Sequence, residues 1–226
     1  MSIWSRIADA LSALTQGEGL SEVFAKLRTP PERSVAFAIA VIALGAKMAK
    51  ADGLVTRDEV TAFREVFHIP RDEEANAAKL FNLARTDVAG FDTYANKIKA
   101  MFGDEMGTLN ELMEGLFHIA MADGQYHPME NDFLHQVADI FGLEEREFRS
   151  MRARHVPDAE PDPYDVLGLS AEATYDEARA RWRELVRETH PDRLMARGVP
   201  EEAIKIAETR MIAINRAWDE ISMKAD

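Results

Sequence analysis

Cysteine is missing altogether from these 226 residues. Its absence excludes disulfides, thiolate catalysis and Cys-ligated zinc, and it fits a reducing compartment. Basic residues are scarce: 27 Lys and Arg stand against 40 Asp and Glu, a formal net charge of −13. Nucleic acid is therefore excluded as the main partner, because phosphate binding draws its affinity from clustered Lys and Arg that release counterions. No apolar run suffices to cross a bilayer; the longest, Val35 to Ala46, lies between Arg33 and Lys47 and falls well short of the roughly 20 residues a spanning helix needs. It reads as a buried core helix. The opening Met1-Ser-Ile-Trp-Ser-Arg6 has no basic region followed by an apolar one, so no secretory signal is expected and the expected location is the cytoplasm. Also missing are a Gly-rich phosphate loop, a Ser nucleophile elbow and a His-Glu-x-x-His zinc pattern. His118 and His127 have neither a third ligand nor a nucleophile beside them in the pattern, so neither an enzyme nor a bound cofactor is expected.

What the chain does have is apolar residues at three- and four-residue steps in nearly every segment, without alternating strand-like runs. The expected fold class is all-α. Arg154-His-Val-Pro-Asp-Ala-Glu-Pro-Asp-Pro163 packs three prolines and several charges into one stretch, which predicts a linker over 154–161 between a bundle at 29–153 and a second domain at 162–226. Within the bundle, Met48-Ala-Lys-Ala-Asp-Gly-Leu-Val-Thr-Arg-Asp-Glu59 echoes Ala120-Met-Ala-Asp-Gly-Gln-Tyr-His-Pro-Met-Glu130. Two similar helix-turn-helix units are predicted, with glycine ending one helix, Thr56 and Glu59 capping the next, and Pro128 opening its counterpart. Residues 1–28 place Ile3, Trp4, Ile7, Leu11 and Leu14 on one helical face before Gly17 and Gly19. Such a stripe docks on the bundle or, in the alternative reading, contacts a membrane interface or a partner groove; only Arg6 is basic ahead of Gly17, which weakens attraction to anionic lipid.

Beyond the linker, Pro163-Tyr-Asp-Val-Leu-Gly-Leu169 leads into a helix predicted from Tyr175 to Thr189, begun by a Thr174/Glu177 capping box. His190-Pro191-Asp192 follows, and then a helix from about Pro200 to Ile221. Ala178, Trp182, Leu185 and Val186 form the seam of the first helix. Ile204, Ala207, Met211, Ile214, Trp218 and Ile221 form that of the second, as two antiparallel helices require. Arg179, Arg183 and Arg187 recur every four residues as a basic stripe on the solvent side. Pro191 fixes its own φ and disfavours the α conformation at His190, so the chain leaves the helix abruptly and projects two polar side chains.

Tyr164-x-x-Leu167-Gly168, Trp182, Leu185, His190-Pro191-Asp192 and Ile214-Asn215-x-Ala217-Trp218 resemble the J domain of DnaJ-like proteins in order and spacing, over about Asp162 to Ser222. The resemblance implies a small helical hairpin that docks on a DnaK-type chaperone and accelerates its ATP hydrolysis. Arg179, Arg183 and Arg187 would orient the partner, and His190, Pro191 and Asp192 would bias its ATPase. Glu184 and Glu188 depart from the family pattern and thin the basic patch, and Met211 stands where the second long helix commonly has an aromatic. The Gly/Phe-rich and Cys-rich segments of DnaJ itself are not present.

Lys47-x-x-x-Ala51-Asp-Gly53 and Ile119-Ala-Met-Ala-Asp-Gly124 resemble the tellurite-resistance TerB family over about Pro30 to Arg152, and TerB-like followed by a J domain is similar to the DjlA class. Typical DjlA proteins carry an N-terminal membrane anchor; here the stripe of Ile3, Trp4 and Ile7 is the candidate substitute, giving peripheral attachment at the cytoplasmic face of the inner membrane. The function expected is a co-chaperone in which the bundle selects a client, an adaptor protein or a membrane patch, or a second copy of the chain as a homodimer. A metal-binding stress-response module, with Asp52, Glu59, Asp123 and Glu130 as ligands and the J domain as accessory, is the alternative. Against it, Lys50 and Met121 stand where an EF-hand loop needs its middle acid, while turn and capping roles account for all four carboxylates.

Overall fold

The run from Val35 to Ala46 lies inside α1 (Glu32–Ala51), in a computed structural model that describes residues 6–7, 32–51, 69, 74–86, 90–103, 105–122, 124–156, 161–201 and 204–225. Every residue of that run is buried, because a helix apolar all round must be covered all round. Its cover comes from α2 (Glu74–Thr86), α3 (Phe91–Phe102), α4 (Met106–Ala120) and α5 (Pro128–Phe141). Leu80, Ile98, Leu112, Leu116, Val137 and Phe141 fill the space around it, each such side chain contributing roughly 1.5–3 kcal/mol when fully buried. Ile7 is fully buried in the same core, which supports the docked reading of the N-terminal stripe at that position. Ile3, Trp4, Leu11 and Leu14 lie outside the described residues.

Local signals set the boundaries. Pro128 opens α5 as anticipated, and the Glu130 carboxylate accepts the His127 backbone N–H at 2.9 Å. Gly124 has φ +80° in the turn before it. Asp52, Gly53, Thr56, Glu59 and Asp123 lie outside the described residues, so the turn of the first unit, its second helix start and three of the four metal candidates have no description. α6 (Glu145–His155) runs two residues into the stretch read as linker. Arg154 is not the breaking residue, because its side chain and that of His155 are held by Glu114 of α4. Pro157 is the first residue that cannot continue the helix.

The second module consists of α7 (Pro163–Leu167), α8 (Tyr175–Glu188), α9 (Pro191–Ala196) and α10 (Lys205–Ala225). Thr174 and Glu177 form the expected reciprocal cap, and the two hydrogen bonds from Thr174 lower the Glu177 pKa. Val166, Leu167, Ala178, Leu185, Ile214, Ala217 and Ile221 make its core, with Tyr164, Trp182, Val186 and Trp218 packed at the edge. One expectation changes: Ala207 belongs to the bundle's core and not to the hairpin seam, together with Leu194 and Val199. The first turns of α10 lie against the bundle, a long-range packing choice that helical periodicity does not distinguish. Among the described residues there are ten helices and no strand; the protein is all-α.

Candidate functional site

His190 stands between α8 and α9 with φ −63° and ψ 134°, the extended backbone that a following proline favours. It caps α9: its Nδ1 accepts the Asp192 backbone N–H at 3.2 Å. The cap is therefore His190 itself, and Asp192 occupies the first turn. In the neutral ring an accepting Nδ1 leaves the proton on Nε2, as a donor. The side chains of His190 and Asp192 are 61% and 81% exposed, with Nδ1 and Oδ2 3.7 Å apart. Pro191 supplies the fixed φ at the first helical position, where its missing N–H has no partner to lose. Behind the turn, Thr189 Oγ1 donates to the Leu185 carbonyl at 2.8 Å, and Leu194 is buried in the bundle. A polar turn is thus presented on a fixed base.

The arginines lie where the spacing puts them. Arg179, Arg183 and Arg187 are all exposed on α8, and among the described residues none pairs with a carboxylate. The departures from the family pattern turn out to be local. Glu184 pairs with Arg181 at 2.6 Å, and Glu188 lies 3.9 Å from Arg197. Both acids are thereby drawn toward partners off the stripe, which itself stays basic. Aromatic packing holds α8 against α10: Trp182 stacks on Trp218 with ring centroids 5.1 Å apart, and its Nε1 donates to Asn215 Oδ1 at 3.0 Å. Ile214 and Ala217 are buried beside them, so the Ile-Asn-x-Ala-Trp segment has a structural reason at each named position.

Sequence reasoning missed a second constellation. Glu111 and Glu114 sit one turn apart on α4, in an otherwise apolar run, and both are buried. Arg210 of α10 reaches Glu111 at 3.0 Å and Glu114 at 3.5 Å; Arg197, after α9, reaches Glu111 at 3.3 Å. Burial would raise the Glu114 pKa, but Arg154, Arg210 and His155 outweigh it and hold the carboxyl well below its ordinary range. For Glu111 burial wins and the pKa is raised, despite Arg210 and Arg197. Arg210 is itself almost fully buried; that favours losing its proton, yet the two carboxylates more than compensate and keep it firmly charged. The available signal was two acids inside an apolar helical run, which demand buried cations.

Glu130, the described member of the metal quartet, serves as a helix cap, and among the described residues no group of three or more potential ligands comes together. No helix among them is long and apolar enough to cross a membrane.

Comparison with known proteins finds two families along the chain. The family described as tellurite resistance protein TerB matches residues 38–153, and the DnaJ domain matches residues 162–225. Among curated proteins, the chain is similar to the co-chaperone protein DjlA of Vibrio cholerae, 26% identical with 93% of this chain and 86% of that protein covered. It is similar also to DjlA of Photobacterium profundum, at 27% with 84% and 78% covered, and of Coxiella burnetii, at 28% with 77% and 72% covered. No solved structure matches. With a TerB match over slightly more than half its length and a DnaJ domain after it, the chain belongs to the TerB family and is a DjlA-like co-chaperone of the DnaJ class.

Proposed function

We propose that this protein recruits a DnaK-type chaperone through the His190-Pro191-Asp192 turn and stimulates its ATPase, while the TerB-like bundle serves as adaptor for a client, a partner protein or a membrane surface. The observation that carries the reading is the joint exposure of the turn and of the Arg179, Arg183 and Arg187 stripe. A basic stripe steers an acidic partner surface and fixes its orientation. His190 and Asp192 then make the contacts that bias the partner toward hydrolysis, and the capped, proline-fixed turn loses little entropy on docking. This chain's own part is binding and positioning; the bond broken is in the partner's nucleotide. The cytoplasm is the compartment proposed for the encounter, in keeping with the missing cysteines.

The test is single-turnover ATP hydrolysis by the cognate DnaK-type chaperone, with and without this protein, alongside His190→Gln. Stimulation by the wild type that disappears in the variant is expected. A folded wild type that leaves hydrolysis unchanged would overturn the reading.

A further inference from the structure

Glu111 and Glu114 lie on the bundle, whereas two of the arginines that pair with them, Arg197 and Arg210, come from the second module. Removing such groups from water costs several kcal/mol per ion unless the partners are in place. Separated modules would leave Glu111 with neither of its cations and would expose the desolvated Arg210, now 8% accessible. They would also expose Leu194, Val199 and Ala207, which lie in the bundle's core. Uncharged contacts bear on the same place. Thr108 Oγ1 donates to the Arg197 carbonyl at 2.9 Å. Gly107 leaves room for the Arg197 side chain, since a Cβ there would stand 2.8 Å from its Nε. On the adjoining edge, Ser150 Oγ and Arg154 Nη1 both donate to the Val166 carbonyl, at 3.0 and 3.1 Å.

These contacts converge on α9. His190 caps its start and Arg197 its end, so the bundle grips the far end of the short helix whose near end carries the proposed chaperone-binding turn. The gripped side faces away from solvent, while His190, Asp192 and the arginine stripe remain open.

We infer that the TerB-like bundle is a built-in positioning element for the His190-Pro191-Asp192 turn, with Thr108, Glu111, Arg197 and Arg210 as the positioning residues, and that the two modules move as one body. The docking half stands on the contacts alone; the positioning half rests on the proposed chaperone function. A fixed α9 meets its partner with the orientational cost already met. A loosened module keeps His190 and Asp192 and so reaches the same maximal rate, but needs more protein to do so.

Two readouts on the full chain test this, for wild type, Arg210→Met, Arg210→Lys and Thr108→Val. Backbone nitrogen relaxation reports whether the modules tumble together. Single-turnover hydrolysis by the cognate DnaK-type chaperone, titrated with this protein, separates half-saturation from maximal stimulation. In the wild type one correlation time is expected for both modules. Arg210→Met should split it and raise the half-saturating concentration about three- to tenfold at unchanged maximal stimulation. Arg210→Lys, which keeps the charge, should return toward wild type. Thr108→Val, which leaves the ion network in place, should raise half-saturation about twofold, and it decides the matter if Arg210→Met fails to fold. Independent tumbling in the wild type overturns docking. Split modules with an unchanged half-saturation, or a reduced maximal rate alone, overturn positioning. Joint tumbling with no stimulation by the wild type leaves docking established and removes the chaperone function, and positioning with it.

Discussion

Replacing Arg210 by methionine keeps an apolar stem of similar length and deletes the one cation that, among the described residues, touches both buried acids. Removing one member of a buried ion pair costs about 3–5 kcal/mol, mostly for the charge left behind. Two features put this site at the low end. Glu114 keeps Arg154 and His155, and a cavity of about 720 Å³ along the seam, lined by Glu111, Ser150, Arg181 and Arg210 among others, gives water access. The expected loss is therefore about 3 kcal/mol near neutral pH, or about 6–12 °C in Tm for a chain of this size. The loss should also depend on pH in a stated direction. Glu111 has a raised folded pKa, so its contribution to stability is full below its unfolded value, about 4.3, and is lost as pH rises through the folded one. Without Arg210 that folded value climbs further, so lowering the pH from neutrality toward the unfolded value recovers part of the deficit. Glu114 has the opposite sign: its depressed pKa contributes stability above about pH 4.3 that disappears as pH falls through the folded value, so the recovery reverses in stronger acid. Urea unfolding followed by far-UV circular dichroism and by tryptophan fluorescence, at about pH 7.5 and about pH 5, measures both effects. The companion Glu111→Leu with Arg210→Met removes both charges and should regain more than half of the loss. A deficit under about 1 kcal/mol at neutral pH, or one equal at both pH values, would refute the argument that Arg210 is there to neutralise buried acids.

Thr174→Ala removes the side-chain acceptor of the Glu177 N–H at the start of α8 and should cost about 1 kcal/mol, read from the urea midpoint. Gly142 ends α5 at φ +83°, so Gly142→Ala should cost about 1–2 kcal/mol through backbone strain, visible as a lowered Tm. Arg179→Ala combined with Arg183→Ala should slow association with the DnaK-type chaperone by about an order of magnitude at low salt. That difference should shrink strongly in about 1 M salt, where screening acts over about 3 Å; stopped-flow binding checks it, and a salt-independent difference would assign the two arginines to direct contacts.

Short-range chemistry was legible because it depends on neighbours in the chain. The Thr174 cap, Pro128 at the start of α5, the extended His190 before Pro191 and the four-residue arginine stripe follow from backbone sterics and helical period, and each lies where the sequence put it. The core helix within 35–46 follows from the want of any polar face. What the sequence could not assign was the partner of each buried group. Ala207 carries the same seam period whether it packs on α8 or on the bundle, and it packs on the bundle. Arg154 and His155 read as linker charges until Glu114 is seen beside them. Glu111 and Arg210 are 99 residues apart, and at that separation no periodicity records a pairing. The turn proposed to bind is local and was readable; the buried charges between the modules were decided by the tertiary structure, because the energy of burying an ion depends on which cation the fold brings within about 4 Å of it.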